Sequence, residues 1–226
     1  NLSFFFKKKV FIKKVIFSSV VPKKFKVIKN FFLKNLKIKS FEKKELNIKK
    51  LIKIFVNKKQ VGSDRLCNAI AVNDNKKNYI IVDFGTATTF DVVIKNKYLG
   101  GIIAPGISLS LNTLVSKASL IPPLKLKKVK NILGKNTISA VRSGFYWGYI
   151  GLVENIVDKI SINTKKKFKI ILTGGYSHLF IKSIKHKASI DKDITIKGLL
   201  KIITYLQIGC LNHMLLIQLI ELDLMD

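Results

Sequence analysis

Between Tyr79 and Ile94 the chain reads YIIVDFGTATTFDVVI, two β-branched runs separated by Gly85, Thr86, Ala87, Thr88 and Thr89. Side chains branched at Cβ fit a pleated surface and lose rotamer freedom in a helix, so both runs are predicted strands. Gly85 allows the chain to reverse between them. A turn near Asn96 and a third run, KYLGGIIAPG, extend the pattern to three successive antiparallel strands. Beyond them Ser108 is expected to cap a short helix reaching Val115, and Pro122 and Pro123 enforce an extended segment. NTISAVRSGFYWGYIGLVENIVDKI then has a long helical pattern, with Thr137 as its expected cap. Gly144, Gly148 and Gly151 fall on one face of that helix, a pattern that admits the close approach of another backbone. FKIILTGG is one more buried strand, ending in Gly174 and Gly175.

The first sixty residues have another character. All 13 glycines lie between Gly62 and Gly209, and the preceding stretch alternates lysine with phenylalanine and isoleucine. KKVIFSSVVP reads as a strand ending in a turn; Pro22 can open a helix on which Phe25, Ile28, Phe32 and Leu36 recur at helical spacing. LNIKKLIKIFV is a predicted strand, and VGSDRLCNAIAV a glycine turn entering a helix that Ser63 or Asp64 can cap. This shift in composition divides the chain into an expected first domain over residues 1–78 and a second over 79–226. Near the end, LLKIITYLQIGCLNHMLLIQLI approaches membrane-spanning length, but Lys201, Gln207, Asn212, His213 and Gln218 interrupt it, so a buried or interfacial helix is expected.

With 226 residues, 48% of them hydrophobic, the chain is long enough to bury a substantial core. Its formal charge of +29 points towards nucleic acid or an anionic surface, yet arginine occurs only at Arg65 and Arg142. Proteins that grip phosphodiesters or base edges exploit the bidentate arginine fork. The joint abundance of Lys, Ile, Asn and Phe fits AT-rich coding, and the lysines read as a solvated coat; neither a specific nucleic-acid partner nor a membrane is expected. Cys67 and Cys210 have no metal-ligand spacing, and the opening NLSFFFKKKVF lacks the apolar core of a secretory signal, which together fit a reducing cytoplasm.

Asp83 at a strand end, followed by Gly85 and Thr86, places a carboxylate, free backbone N–H groups and hydroxyls at one sheet edge. Such a turn can cradle a phosphate, with Asp83 holding a cation beside it; it can equally be a plain hairpin with a satisfied aspartate. Gly174 and Gly175 form a second strand-end turn against which a nucleotide can lie, or merely a turn. Asp64, beside Arg65, can orient an attacking hydroxyl in phosphoryl transfer or simply cap a helix. No Walker sequence is present.

In their order and separation, SSVVP, VGSDR, VDFGTATTFD, YLGGIIAPG, GKNT, SGFYWGYIGLVENI and LTGG resemble type III pantothenate kinase. The resemblance implies two ribonuclease H-like α/β domains of the acetate and sugar kinase/actin superfamily. It implies transfer of the ATP γ-phosphate to pantothenate, giving 4′-phosphopantothenate in the first step of coenzyme A biosynthesis. Asp64 matches the family's general base, and Gly62, Ser63, Asp64 and Arg65 its pantothenate-contacting loop. Thr137 matches a further pantothenate contact. Phe55 stands where the family commonly has a substrate-contacting tyrosine, so that hydrogen bond is expected to be missing. Asp83 matches the ligand of a monovalent cation, potassium or ammonium, and Thr86 an ATP contact beside Gly85, with Mg²⁺ as divalent cofactor and Gly174 and Gly175 completing the nucleotide site. Family members are homodimers. The family's N-terminal aspartate–isoleucine–glycine–asparagine–threonine phosphate turn is not found, so the first domain is expected to be N-terminally incomplete. The alternative is a non-catalytic or regulatory homologue similar to Bvg accessory factor, inactive through that loss.

Overall fold

The computed structural model describes residues 14–19, 27, 29–34, 37, 39–42, 48, 50–205 and 214–219. By internal contacts the chain forms two units: Asn1–Asn73 with Asp193–Asp226, and Asp74–Lys192. The first break lies near the expected boundary at 78/79. The second, at 192/193, has no counterpart in the sequence reading.

In the first unit, β1 (Lys14–Ser19) lies between β2 (Lys39–Glu42) and β9 (Met214–Leu219), parallel to both. Residues 214–219 are therefore a strand, where a continuous helix was expected. The helix in that region, α5 (Ile194–Tyr205), is described only as far as Tyr205. The expected strand over LNIKKLIKIFV reduces to β3 (Lys53–Ile54), because Leu51 N–H donates to Ile48 O at 2.9 Å and turns the chain just before it. Residues 29–34 are helical around a fully buried Phe32, whereas Pro22, Phe25, Ile28, Leu36 and Cys210 lie outside the described residues. α1 (Ser63–Val72) packs on α5 at Gly198, where a Cβ would stand 2.0 Å from Cys67 O. Thr195 Oγ1 donates to Asn68 Oδ1 at 2.6 Å in the buried seam, and Lys201 Nζ closes the end of α1 by donating to Ala71 O at 2.6 Å. Leu66, Ile70, Leu199 and Ile202 fill the rest.

The second unit contains the predicted three-strand meander: β4 (Asn78–Phe84), β5 (Ala87–Ile94) and β6 (Lys97–Pro105), each antiparallel to the next. β7 (Lys169–Gly174) pairs parallel with β4, and β8 (Ala188–Ile190) parallel with β7. Within this unit the order is β6-β5-β4-β7-β8. Counted from β4 it reads 3-2-1-4-5 with only the second strand reversed, the ribonuclease H-like arrangement.

On one face of the sheet, Ile80, Val82, Phe84, Phe90, Val92, Ile170 and Leu172 meet α3 (Thr137–Thr164). That helix contributes Tyr146, Ile150, Val153, Val157 and Ile160, a stripe at steps of three and four residues. Burying each such side chain contributes roughly 1.5–3 kcal/mol, enough for this stripe to hold the helix in place. The cap of α3 is Asn136, where Thr137 was expected. Ser139 N–H donates to Asn136 Oδ1 at 2.9 Å, and Asn136 N–H donates to Ser139 Oγ at 3.1 Å, a reciprocal capping box that leaves Thr137 as an exposed first helical residue.

Caps moved at the other two helices as well. Gly62 precedes α1, with Ser63 and Asp64 inside its first turn, and Gly106 precedes α2 (Ile107–Lys117), with Ser108 inside; neither cap makes a side-chain hydrogen bond. At Gly106 a side chain would run into the Thr86 backbone, whereas at Gly62 the near atom is the end of the Asp64 side chain. Around Gly144, Gly148 and Gly151 nothing of the described chain lies within 4 Å of where their Cβ atoms would be, so no other segment of this chain makes the close approach that their face admits. Their face is open, and Gly144 and Gly148 line an apolar groove of about 450 Å³ with Pro105, Leu114, Phe145 and Tyr149.

Candidate active site

At one end of the second unit's sheet, β4 stops at Phe84 and β5 begins at Ala87, leaving Gly85 and Thr86 exposed in a two-residue connection. Gly85 N–H donates to Ala87 O at 3.1 Å. Two other turns press against this one. At Gly106, a Cβ would lie 1.9 Å from Thr86 O and 2.8 Å from Gly85 O, so the backbones touch and only glycine fits. At Gly174, whose φ is +81°, a Cβ would lie 2.6 Å from both Asp83 Oδ1 and Phe84 O. Gly174 thus satisfies two constraints, a left-handed backbone and contact with the Asp83 carboxylate.

Asp83 is half-buried and stands in register with Thr89 on β5 and Thr173 on β7. Directly paired residues share a sheet face, so a carboxylate is flanked by a hydroxyl on each neighbouring strand. This all-oxygen set suits a hard cation. No group of three or more His, Cys, Asp or Glu occurs among the described residues, so a cation here would take its remaining ligands from a bound phosphate or water. Ser177 Oγ, at the start of the short α4 (Ser177–Phe180), donates to Gly174 O at 2.8 Å, fixing the second turn from behind, and Tyr149 of α3 donates to Pro105 O at 3.1 Å, fixing the third.

The structure therefore gathers Asp83, Gly85, Thr86, Gly174 and Gly175 at one sheet edge. Gly106, Thr89 and Thr173 join them and were not singled out as site residues in the sequence. The signal for Gly106 was available in APG, whereas the threonine row depends on strand register.

The first unit carries a separate cluster. Gly62, Ser63, Asp64 and Arg65 form the entry to α1, and Asp64 folds back so that its Oδ1 lies 2.5 Å from where a Gly62 Cβ would be. Asp64 Oδ1 and Ser63 Oγ are buried without a hydrogen-bond partner among the described residues. An unpartnered buried carboxylate oxygen is a costly arrangement that a ligand hydroxyl would relieve. Phe55, just after β3, is 60% exposed. Thr137 belongs to the second unit, at the first turn of α3.

Residues 2–159 match the family model described as type III pantothenate kinase, about seven-tenths of the chain. The chain belongs to the type III pantothenate kinase family. The type III pantothenate kinase of Pelagibacter ubique (strain HTCC1062) is 61% identical over 196 residues, 87% of this chain and 79% of the relative. That of Sulfurihydrogenibium sp. (strain YO3AOP1) is 42% identical over 191 residues, 83% of this chain and 75% of the relative. A solved structure from Campylobacter jejuni, titled as a Baf family transcriptional activator, superposes with a TM-score of 0.60 at 20% identity, covering 92% of this chain and 90% of that one. At that identity it speaks for the fold alone. As a type III pantothenate kinase the chain is a transferase that uses ATP to phosphorylate pantothenate in coenzyme A biosynthesis. Among the described residues no helix is long and apolar enough to cross a membrane.

Proposed function

We propose that the reaction is divided between the two clusters just described. The ATP phosphates lie on the exposed Gly85–Thr86 turn, where the Thr86 hydroxyl and N–H donate to their oxygens while Gly85 N–H, held by Ala87 O, fixes the turn. Asp83, with Thr89 and Thr173 beside it, would hold the cations that the reaction uses, Mg²⁺ and potassium or ammonium. Bound there, these ions would offset the negative charge of the phosphate oxygens.

Pantothenate is held by Gly62–Arg65, with Thr137 a further contact. Asp64 accepts the proton of its primary hydroxyl as that oxygen bonds to the γ-phosphorus and the bond from phosphorus to the β,γ-bridging oxygen of ATP breaks, releasing ADP. Such transfers have loose transition states, so positioning the hydroxyl and stabilising charge are what the protein must supply. The observation that supports the assignment of Asp64 is its buried Oδ1, an acceptor with no donor competing for it among the described residues. At position 55 the phenyl ring offers no hydroxyl, so affinity for pantothenate rests on the loop and Thr137. Two copies are proposed to associate through the open glycine face of α3, whose apolar groove is lined by Ala104, Pro105, Leu114, Val141, Phe145 and Leu152.

Asp64→Asn keeps the shape of the side chain and removes its basicity. Steady-state turnover of pantothenate should fall at least about a hundredfold, the usual scale of a lost general base, while ATP affinity stays within about twofold. Turnover equal to wild type would remove Asp64 from the mechanism.

A further inference from the structure

The first turn of α2 touches both glycine turns of the nucleotide site. Gly106 is packed behind Thr86, and two residues later Ser108 Oγ lies 3.0 Å from the hydroxyl of Tyr176, the residue directly after Gly174 and Gly175. Tyr176 is half-buried, packed on one side against the core that α3 covers. Gly175 before it is exposed, with nothing within 4 Å of where a Cβ would be. An aromatic ring beside open space, with its hydroxyl tethered and its inner side packed, has little freedom to swing away. Such a ring is a prepared stacking surface.

We propose that Tyr176 is the platform on which the base of the nucleotide lies, and that Ser108 is the positioning residue that sets the angle of its ring. This rests on the reading of Gly85–Thr86 as the phosphate turn. Residues 106–108, at most about 7.6 Å of chain, then fix the phosphate end and the base end of one ligand relative to each other. The assignment makes base recognition a matter of stacking, so the site takes the base by its flat face and not by hydrogen bonds to ring edges.

Calorimetric titration with ATP and with inorganic triphosphate separates the base from the phosphates. Wild type should bind both, ATP more tightly. Tyr176→Leu should weaken ATP about fivefold or more, the low end of what one lost stacking contact costs, and leave triphosphate within about twofold. Ser108→Ala, which touches neither ring nor core, should weaken ATP about two- to threefold through the lost tether and again leave triphosphate unchanged. Tyr176→Phe, which keeps the ring, should resemble Ser108→Ala. Unchanged ATP affinity in Tyr176→Leu overturns the platform while the phosphate turn stands. Equal weakening of ATP and triphosphate in that variant shows a collapsed turn and also overturns it. Failure of wild type to bind either ligand overturns the phosphate turn itself, and the platform with it.

Discussion

Asp74 shows how strongly a single residue can be tied to local backbone in this chain. Its carboxylate accepts from Lys77 N–H at 2.8 Å and Lys76 N–H at 2.9 Å, and from the Tyr79 hydroxyl at 2.7 Å. The Lys77 amide contributes most, and together these donors hold the carboxyl near about 2, below its ordinary 3.8, against the opposing effect of burial. Burial, reinforced by Asp74, pushes the Tyr79 phenol up to about 12. A carboxylate whose folded pKa is depressed binds protons more readily when unfolded. Its stabilisation is complete above 3.8 and is lost as pH falls through about 2. Asp74→Asn should therefore unfold at lower denaturant than wild type at neutral pH, with the gap closing as pH drops towards 2. A gap that stays constant through that range would show that the carboxylate's charge is not what Asp74 contributes. The site's glycines act by a different route. At Gly106 and Gly174 the missing side chain lets one turn press on the next, and Gly62 leaves room for the Asp64 carboxylate.

At the scale of elements, the sequence was most readable where local preference and tertiary packing agree. The β4–β5–β6 meander and the long α3 appear where β-branched runs and helical spacing placed them. The helix caps were misread in a consistent way: Ser63, Asp64, Ser108 and Thr137 are good capping residues, but the capping positions went to their neighbours Gly62, Gly106 and Asn136. At Gly106 the choice is made by another segment, the Gly85–Thr86 backbone, which local sequence does not report. Misreading residues 214–219 as helix has a similar origin. MLLIQL is apolar enough for either state, and its pairing with β1, some two hundred residues earlier, makes it a strand. The open face of α3 leads to a prediction at this scale. Gly148→Glu places a charge in the apolar groove without meeting any neighbour. Sedimentation equilibrium should give twice 25.6 kDa for wild type and the single-chain mass for the variant. A wild-type monomer, or a variant dimer as tight as wild type, would remove this face from the interface.

Over the whole molecule, Asp83, Gly85, Thr86, Gly174 and Gly175 belong to one unit and Gly62–Arg65 to the other, so the proposed nucleotide and acceptor clusters are carried by different units. Each of these motifs is a local turn of a few consecutive residues, legible in the sequence, whereas the return of residues 193–226 to the first unit is not. The row of Thr89, Asp83 and Thr173 was not legible: it joins three strands, and only register brings its members side by side. The central claim is that the connection between β4 and β5 is the seat of the ATP phosphates. Amide chemical shifts recorded while ATP is added test it most directly. The largest saturable changes should fall on Gly85 and Thr86, with smaller ones at Gly174 and Gly175; saturation that leaves Gly85 and Thr86 unmoved would contradict it.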